Sequence, residues 1–144
     1  MELSEIRKLV EEDMPIDDTE LDVASMAIPQ LHNKYLNIYL DEKLVLQKVT
    51  SDFNILKRIK WEYYTGKLDK EQLEEYGWEQ FSLKILKQDI DIYMESDEGL
   101  QKLANRKAYQ KEKVSYLDAI LKSINNRQWN IRNAIEWKKF INGQ

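Results

Sequence analysis

The sequence is poor in the residues that form disulfides, metal sites and turns. It has no cysteine and one histidine, His32. Disulfide bonds and thiol catalysis are therefore excluded, and a multi-histidine metal site cannot be built. Only four glycines and two prolines interrupt its 144 residues. A composition with so few turn-forming residues predicts a mainly α protein built from long, charged, amphipathic helices.

Several kinds of functional motif are also missing. The sequence contains no run of about 18 apolar residues, so no membrane-spanning helix is predicted. The N-terminus lacks the basic-then-apolar layout of a signal peptide, so a cytoplasmic location is expected. No Gly-rich phosphate loop or nucleophile–base pair is visible, and the carboxylates at 71, 74, 75 and 79 lack calcium-loop spacing. These absences predict a non-enzymatic protein without a cofactor or metal.

The charges are segregated along the chain. Charged residues make up 33% of the sequence and give a net charge of −4. Residues 1–22 and 68–98 each carry a net charge of −7, whereas residues 43–67 carry +4 and residues 99–144 carry +7. Local charge decides where a polyanion docks, so the two basic segments are the candidate binding surfaces.

The apolar spacing predicts a helical hairpin or bundle within one domain, 1–144. A short helix is expected over 4–13, with Ser4 as its N-cap. The next helical pattern runs to about Tyr64 and contains Pro29, which predicts a kink or a break. The roughly 35 residues after Pro29 would span about 50 Å as a helix, so that helix needs a partner from this chain or from a neighbour.

The C-terminal half is predicted to continue in helices. A short helix is expected over 69–75. The stretch 78–95 is ambiguous, because alternating apolar residues favour a small β element and later residues favour a helical turn. Helices are then expected over 97–125 and 127–141, separated by a turn at the asparagine pair 125–126.

One segment, 57–67, combines cations with aromatic rings. It contains four cationic and three aromatic side chains and ends a long helical pattern at Gly66. Cations can follow the phosphates of a single strand while rings stack on unpaired bases. The residues predicted to contact single-stranded DNA are Lys57, Arg58, Lys60, Trp61, Tyr64 and Lys67.

Other interpretations of the basic and aromatic residues stay open. The segment 57–67 could be a solvated face whose cations stabilise the helix dipole. A second basic stretch, 102–113, is also a candidate surface, although a solvated face is favoured there. The stripe formed by Trp129, Trp137 and Phe140 is more typical of a core or an interface than of a base-stacking ladder.

The segment Lys57-Arg58-x-Lys60-x-Glu62-Tyr63-Tyr64-Thr65-Gly66-Lys67 resembles the corresponding segment of the UvsY family, the recombination mediators of T-even-type bacteriophages. Two further motifs support the resemblance. They are Asp89-Ile90-x-x-Tyr93-Met94-x-x-Asp97 and Leu117-x-x-Ile120-Leu121-Lys122-x-Ile124-x-x-Arg127-x-x-x-Ile131. Their order and spacing extend the likeness over essentially the full length of the chain.

The resemblance implies a protein without enzymatic activity that binds single-stranded DNA. It also implies contacts with a RecA-like recombinase and a single-strand-binding protein, and a homo-oligomeric ring formed through C-terminal helices, here 97–144. The two cations of the family's DNA-binding segment correspond to Arg58 and Lys60. Trp61 stands where a family member has an aliphatic residue. The alternative function is a helical, oligomeric adaptor that binds an acidic protein partner.

Overall fold

The computed structural model describes residues 1–143, in which all regular structure is helical. The predicted mainly α fold is therefore confirmed. A single 3₁₀ turn, Lys87–Asp89, precedes the fifth α-helix. The α-helices are α1 (Leu3–Asp13), α2 (Leu21–Met26), α3 (Ile28–Tyr64), α4 (Lys70–Tyr76), α5 (Ile90–Glu95) and α6 (Glu98–Ile141).

The chain divides into two compact units. The terminal unit consists of Met1–Leu44 together with the chain from Lys111 onward, and the central unit consists of Val45–Gln110. Helices α3 and α6 each contribute residues to both units. The single domain over 1–144 stays a prediction.

The terminal unit has a core built from α1, α3 and α6. The buried side chains recur at intervals of three and four residues, so each helix presents one apolar face. Tyr35 is fully buried, and its hydroxyl donates a hydrogen bond to Asp13 Oδ2 at 2.8 Å, which satisfies the phenol. The buried core consists of Ile6, Val10, Tyr35, Leu117, Leu121 and Ile124.

A buried ion pair also joins two helices of the terminal unit. Lys113 Nζ of α6 lies 3.3 Å from Glu42 Oε2 of α3, and the two side chains are only 6% and 8% exposed. Glu42 Oε1 also lies 3.3 Å from the N-terminal ammonium, and removing one member of such a buried group of charges is strongly destabilising. Lys113 therefore belongs to the interior of this unit and not to a basic surface over 102–113.

The predicted turn at residues 125–126 is wrong, because α6 continues through both asparagines. Both are exposed, while Ile124 and Ile131 are buried on the opposite face. Arg127 Nη1 also donates to the carbonyl oxygen of Met14 at 2.7 Å. Asparagine lowers helix propensity by only a fraction of a kcal/mol per residue (roughly 0.7 at most), so tertiary packing decides the outcome.

Two predictions about helix N-termini had different outcomes. The break near Pro29 is confirmed, since α2 ends before it and α3 starts with it in the first turn, where its missing N–H is not needed. The predicted Ser4 cap is wrong. Helix α1 starts one residue earlier, and the N–H of Glu2 donates to Glu5 Oε2 at 3.0 Å.

The small β element predicted near 78–95 is also wrong, because residues 1–143 contain no strand. Phe81 and Ile85 are half-buried against helices, whereas Leu83 and Leu86 are exposed. In the described residues no strand lies beside them to supply ladder hydrogen bonds. The apolar alternation here reflects packing of individual side chains onto helices. The helical turn expected after Asp89 is confirmed as α5.

Candidate nucleic-acid interface

The site is built where α3 ends, inside the central unit. Gly66 adopts the left-handed conformation (φ 73°), and its N–H donates to Tyr63 O at 3.2 Å. The N–H of Lys67 donates to Glu62 O at 2.8 Å, which completes a Schellman motif. The predicted stop at Gly66 is therefore confirmed. The reversal brings Lys67 Nζ to 4.0 Å from the ring centroid of Trp61, a cation–π contact.

Four of the six predicted DNA-contacting residues lie at the surface. We call Lys57, Arg58, Trp61 and Lys67 the outer surface. Arg58 and Trp61 are three residues apart and Lys57 and Trp61 are four apart, so these side chains are neighbours on the helix. Arg58 Nη1 lies 2.9 Å from Glu62 Oε1, but the arginine side chain is 63% exposed. An exposed pair of this kind is weak, so Arg58 can exchange its partner for a phosphate.

The other two predicted residues, Lys60 and Tyr64, point into the central unit. Lys60 Nζ lies 3.1 Å from Asp97 Oδ2, and the lysine side chain is 12% exposed. The Tyr64 hydroxyl donates to the same oxygen at 2.7 Å. Lys60 Nζ also lies 3.9 Å from the ring centroid of Trp78. The structure thus separates the six residues into an exposed set and a pair held by a carboxylate.

Asp97 connects the end of α3 with the start of α6. Its Oδ1 accepts the N–H of Leu100 at 2.9 Å, which makes it the N-cap of α6. We call Asp97, Lys60, Tyr64 and the Leu100 N–H the Asp97 cluster. Each carboxylate oxygen therefore has its own role, one for the helix terminus and one for the two side chains from α3.

The protonation of this cluster follows from its geometry. Burial acts to raise the pKa of Asp97, but hydrogen bonds from Tyr64, the Leu100 N–H and Lys60 outweigh it, and the pKa lies below its usual value. Burial, and then the hydrogen bond to Asp97, raise the pKa of Tyr64. At neutral pH the cluster is therefore a carboxylate held by a neutral phenol and an ammonium.

A group of aromatic rings fastens the irregular stretch 78–86 to the end of α3. The ring centroid of Tyr63 lies 5.1 Å from that of Tyr64 and 5.2 Å from that of Trp78, both edge to face. The rings of Tyr64 and Phe81 are also edge to face, at 5.0 Å. The Tyr63 hydroxyl donates to Glu79 O at 2.6 Å. Ring pairs in this arrangement stabilise the fold by more than the burial of their apolar surface alone.

Beside the outer surface lies a groove with a volume of about 1050 Å³. The outer-surface residues Trp61 and Lys67 line it, together with Phe81, Lys84 and Lys87. Sequence reasoning missed Lys84 and Lys87, because they lie within the acidic segment 68–98. Their spacing of three residues after an aromatic residue was the signal available, and it is too common to single them out.

The remaining candidate surfaces are placed differently. In the second basic stretch Lys102, Arg106 and Lys111 are exposed, so a solvated face over that part fits the structure. Trp137 and Phe140 near the end of α6 are 61% and 72% exposed, which excludes them from the core of the described chain. Their rings stack at a centroid distance of 5.7 Å.

Residues 1–143 contain neither a membrane-spanning helix nor a cluster of metal-binding side chains. None of these helices has the length and apolar character needed to cross a membrane. In the same residues, no group of three or more His, Cys, Asp or Glu side chains is arranged to hold a metal ion.

The fold and the site define an all-helical protein that exposes cations and rings together, the surface chemistry that single-stranded nucleic acids require. The family model described as "Recombination, repair and ssDNA binding protein UvsY" matches residues 9–144. The chain belongs to this family. Comparison with curated proteins finds no significant match.

Solved structures of bacteriophage T4 recombination mediator protein UvsY are similar to the chain in fold. The crystal structure in lattice type IV has a TM-score of 0.86 at 18% identity and covers 97% of this chain and 99% of that chain. The structure in lattice type II has a TM-score of 0.83 at 18% identity, with 97% of each chain covered. Lattice type I gives 0.80 at 17% identity, covering 94% of this chain and 98% of that chain.

The Asp97 cluster predicts unequal costs for removing two N-cap aspartates. Asp69 caps α4 through the Gln72 N–H at 2.8 Å and is exposed, so Asp69→Ala should cost about 1 kcal/mol. Asp97→Ala also leaves the Lys60 ammonium without its counter-charge and should cost about 3 kcal/mol or more. Urea denaturation of both variants measures the difference, and equal losses would contradict the role given to the cluster.

The lowered pKa of Asp97 also predicts a pH dependence of stability. Its carboxyl binds protons more readily in the unfolded chain, so its contribution is present above about pH 4 and is lost as the pH falls further. Asp97→Asn removes this part of the acid sensitivity. The free energy of unfolding should therefore fall less steeply below about pH 5 in the variant than in the wild type. Parallel curves of unfolding free energy against pH for the two proteins would contradict this role of Asp97.

Proposed function

We propose that this chain is a recombination mediator. It binds single-stranded DNA and promotes loading of a RecA-like recombinase onto strands that are covered by single-strand-binding protein. Membership of the UvsY family supports the recombination and DNA-binding part of this function. The observation that carries the proposal is the exposed outer surface of Lys57, Arg58, Trp61 and Lys67, which lies at the family's basic–aromatic segment.

In this proposal the residues of the segment act in two ways. Lys57, Arg58 and Lys67 contact phosphates, and the partly exposed Trp61 ring offers a stacking surface for a base. Lys60 and Tyr64 hold the end of α3 through Asp97 and so support the residues that contact the strand. Contacts with the phosphates and with the faces of bases do not depend on sequence, so binding tolerates any base order.

The proposed mediator works as a homo-oligomeric ring. A single subunit of net charge −4 holds a polyanion weakly, whereas several outer surfaces presented together raise the effective concentration of binding sites. Support comes from the uncovered apolar side chains near the end of α6, since exposed apolar patches often mark interfaces. These side chains are Trp129, Ile135, Trp137, Phe140 and Ile141.

Loading of the recombinase follows from how such a ring would hold DNA. A strand drawn across several subunits follows a path imposed by the ring, which competes with the path imposed by the single-strand-binding protein. The released stretch is then available to the recombinase. As a phage protein that acts on replicating DNA, the mediator would work in the host-cell cytoplasm.

The alternative function uses the same surface for an acidic protein partner of a helical adaptor. Acidic side chains would satisfy the cations but would not use the exposed ring of Trp61. Competition between a labelled oligonucleotide and an acidic polypeptide separates the two functions.

The double variant Lys57→Ala with Arg58→Ala tests the outer surface without disturbing the Asp97 cluster. Loss of two phosphate contacts should weaken binding about tenfold and make the salt dependence shallower by about 1.4 in log–log slope. Fluorescence anisotropy of a labelled oligothymidine at several salt concentrations measures both values.

Lys43→Ala with Lys48→Ala is the matched control for that experiment. It removes the same charge from exposed positions earlier on α3, and Lys48 also has an exposed partner four residues on, Asp52. The control should bind nearly as well as the wild type. Equal behaviour of the two double variants would show that only net charge matters and would refute the site.

The homo-oligomeric ring is tested by a separate experiment. Light scattering should give the wild type a mass several times 17.3 kDa at micromolar concentration, and Trp137→Ala with Phe140→Ala should reduce it. Trp61→Ala, which removes an exposed tryptophan elsewhere, is the control and should leave the mass unchanged. A wild-type mass of one subunit would refute the oligomer.

A further inference from the structure

Two further cations, Lys84 and Lys87, lie outside the DNA-binding segment, in the groove of about 1050 Å³ beside it. The groove is formed by the end of α3, the irregular stretch 78–86 and the start of α5, all within the central unit. Three lysines, Lys67, Lys84 and Lys87, line it, against one acidic side chain, Asp91. The groove is therefore basic although the sequence around it, residues 68–98, has a net charge of −7.

Lys84 and Lys87 are available for a ligand. Both are exposed, and within residues 1–143 neither makes an ion pair. This distinguishes them from Lys60, which is held by Asp97, and from Lys113, which is paired with Glu42. Two unpaired cations three residues apart in one concave surface complement a chain of phosphates better than a single anion.

The groove also contains aromatic side chains and has a large volume. Trp61, Tyr64 and Phe81 line it, so aromatic surface and cations occur together in the groove as they do on the outer surface. Small-molecule pockets usually enclose about 300–1,000 Å³. A groove of about 1050 Å³ that is open to solvent suits a segment of polymer more than a small enclosed ligand.

Trp61 and Lys67 belong both to the outer surface and to the groove. A strand that lies on the outer surface can therefore continue into the groove across these two shared residues. Charge complementarity and this continuity identify one occupant, the same unpaired strand.

We propose that the groove is a second contact for single-stranded nucleic acid, in which Lys84 and Lys87 bind phosphates beyond those held by Lys57 and Arg58. The proposal rests on the proposed function, because it extends the same binding site. It assigns a role to the stretch 78–86 and explains why rings fasten that stretch to the end of α3. The strand passes from the outer surface, across Trp61, into the groove.

The test uses the full chain and four proteins: the wild type, Lys84→Ala with Lys87→Ala, Lys84→Arg with Lys87→Arg, and the Lys43→Ala with Lys48→Ala control. Anisotropy with labelled oligothymidine should show about tenfold weaker binding for the alanine variant and a salt slope shallower by about 1.4. The arginine variant keeps the charge and should bind as the wild type does. Thermal unfolding should be unchanged, since both lysines are exposed.

The outcomes separate the groove from the proposed function. Wild-type affinity in the alanine variant, with weak binding after Lys57→Ala and Arg58→Ala, would overturn the groove and leave the proposed function standing. A wild type that does not bind oligothymidine would overturn both. If polyglutamate binds the wild type but not the alanine variant, while both proteins bind oligothymidine equally well, the groove is a protein-binding surface and the proposal fails.

Discussion

The carboxylate of Asp97 is the interaction on which the candidate nucleic-acid interface depends. One oxygen caps α6, and the other holds both Lys60 and Tyr64 of α3. A helix N-terminus is a favourable place for a negative charge, and the two donors keep that charge satisfied as it becomes buried. The last turns of α3 are consequently held in place, and the neighbouring cations and rings are presented from a rigid support.

The charge distribution separates two tasks of the cations. Lys113 is paired and buried and Lys60 is paired and largely shielded, so both contribute to structure. Lys57, Arg58 and Lys67 are exposed at the end of a helix, where their potential reaches solvent. A chain that is acidic overall can therefore present a basic surface, because burial and pairing decide which charges a ligand meets.

Features that depend on local sequence could be predicted, and features that depend on distant partners could not. The stop at Gly66 and the break at Pro29 follow from backbone restrictions of a single residue, and both are confirmed. The asparagine pair 125–126 carries an equally local turn signal, but packing on the far side of α6 overrides it. The inward position of Lys60 depends on Asp97, which lies on another helix, and helical periodicity alone contains no information about that contact.

The ammonium of Lys67 rests against the indole of Trp61, and that of Lys60 rests against the indole of Trp78. The emission of an indole is sensitive to a charge placed on its face. If Lys67 turns away toward an incoming anion, the Trp61 ring loses that charge while the Trp78 ring, whose lysine is fixed by Asp97, keeps it. Of these two indoles, Trp61 would therefore respond to a bound anion and Trp78 would not.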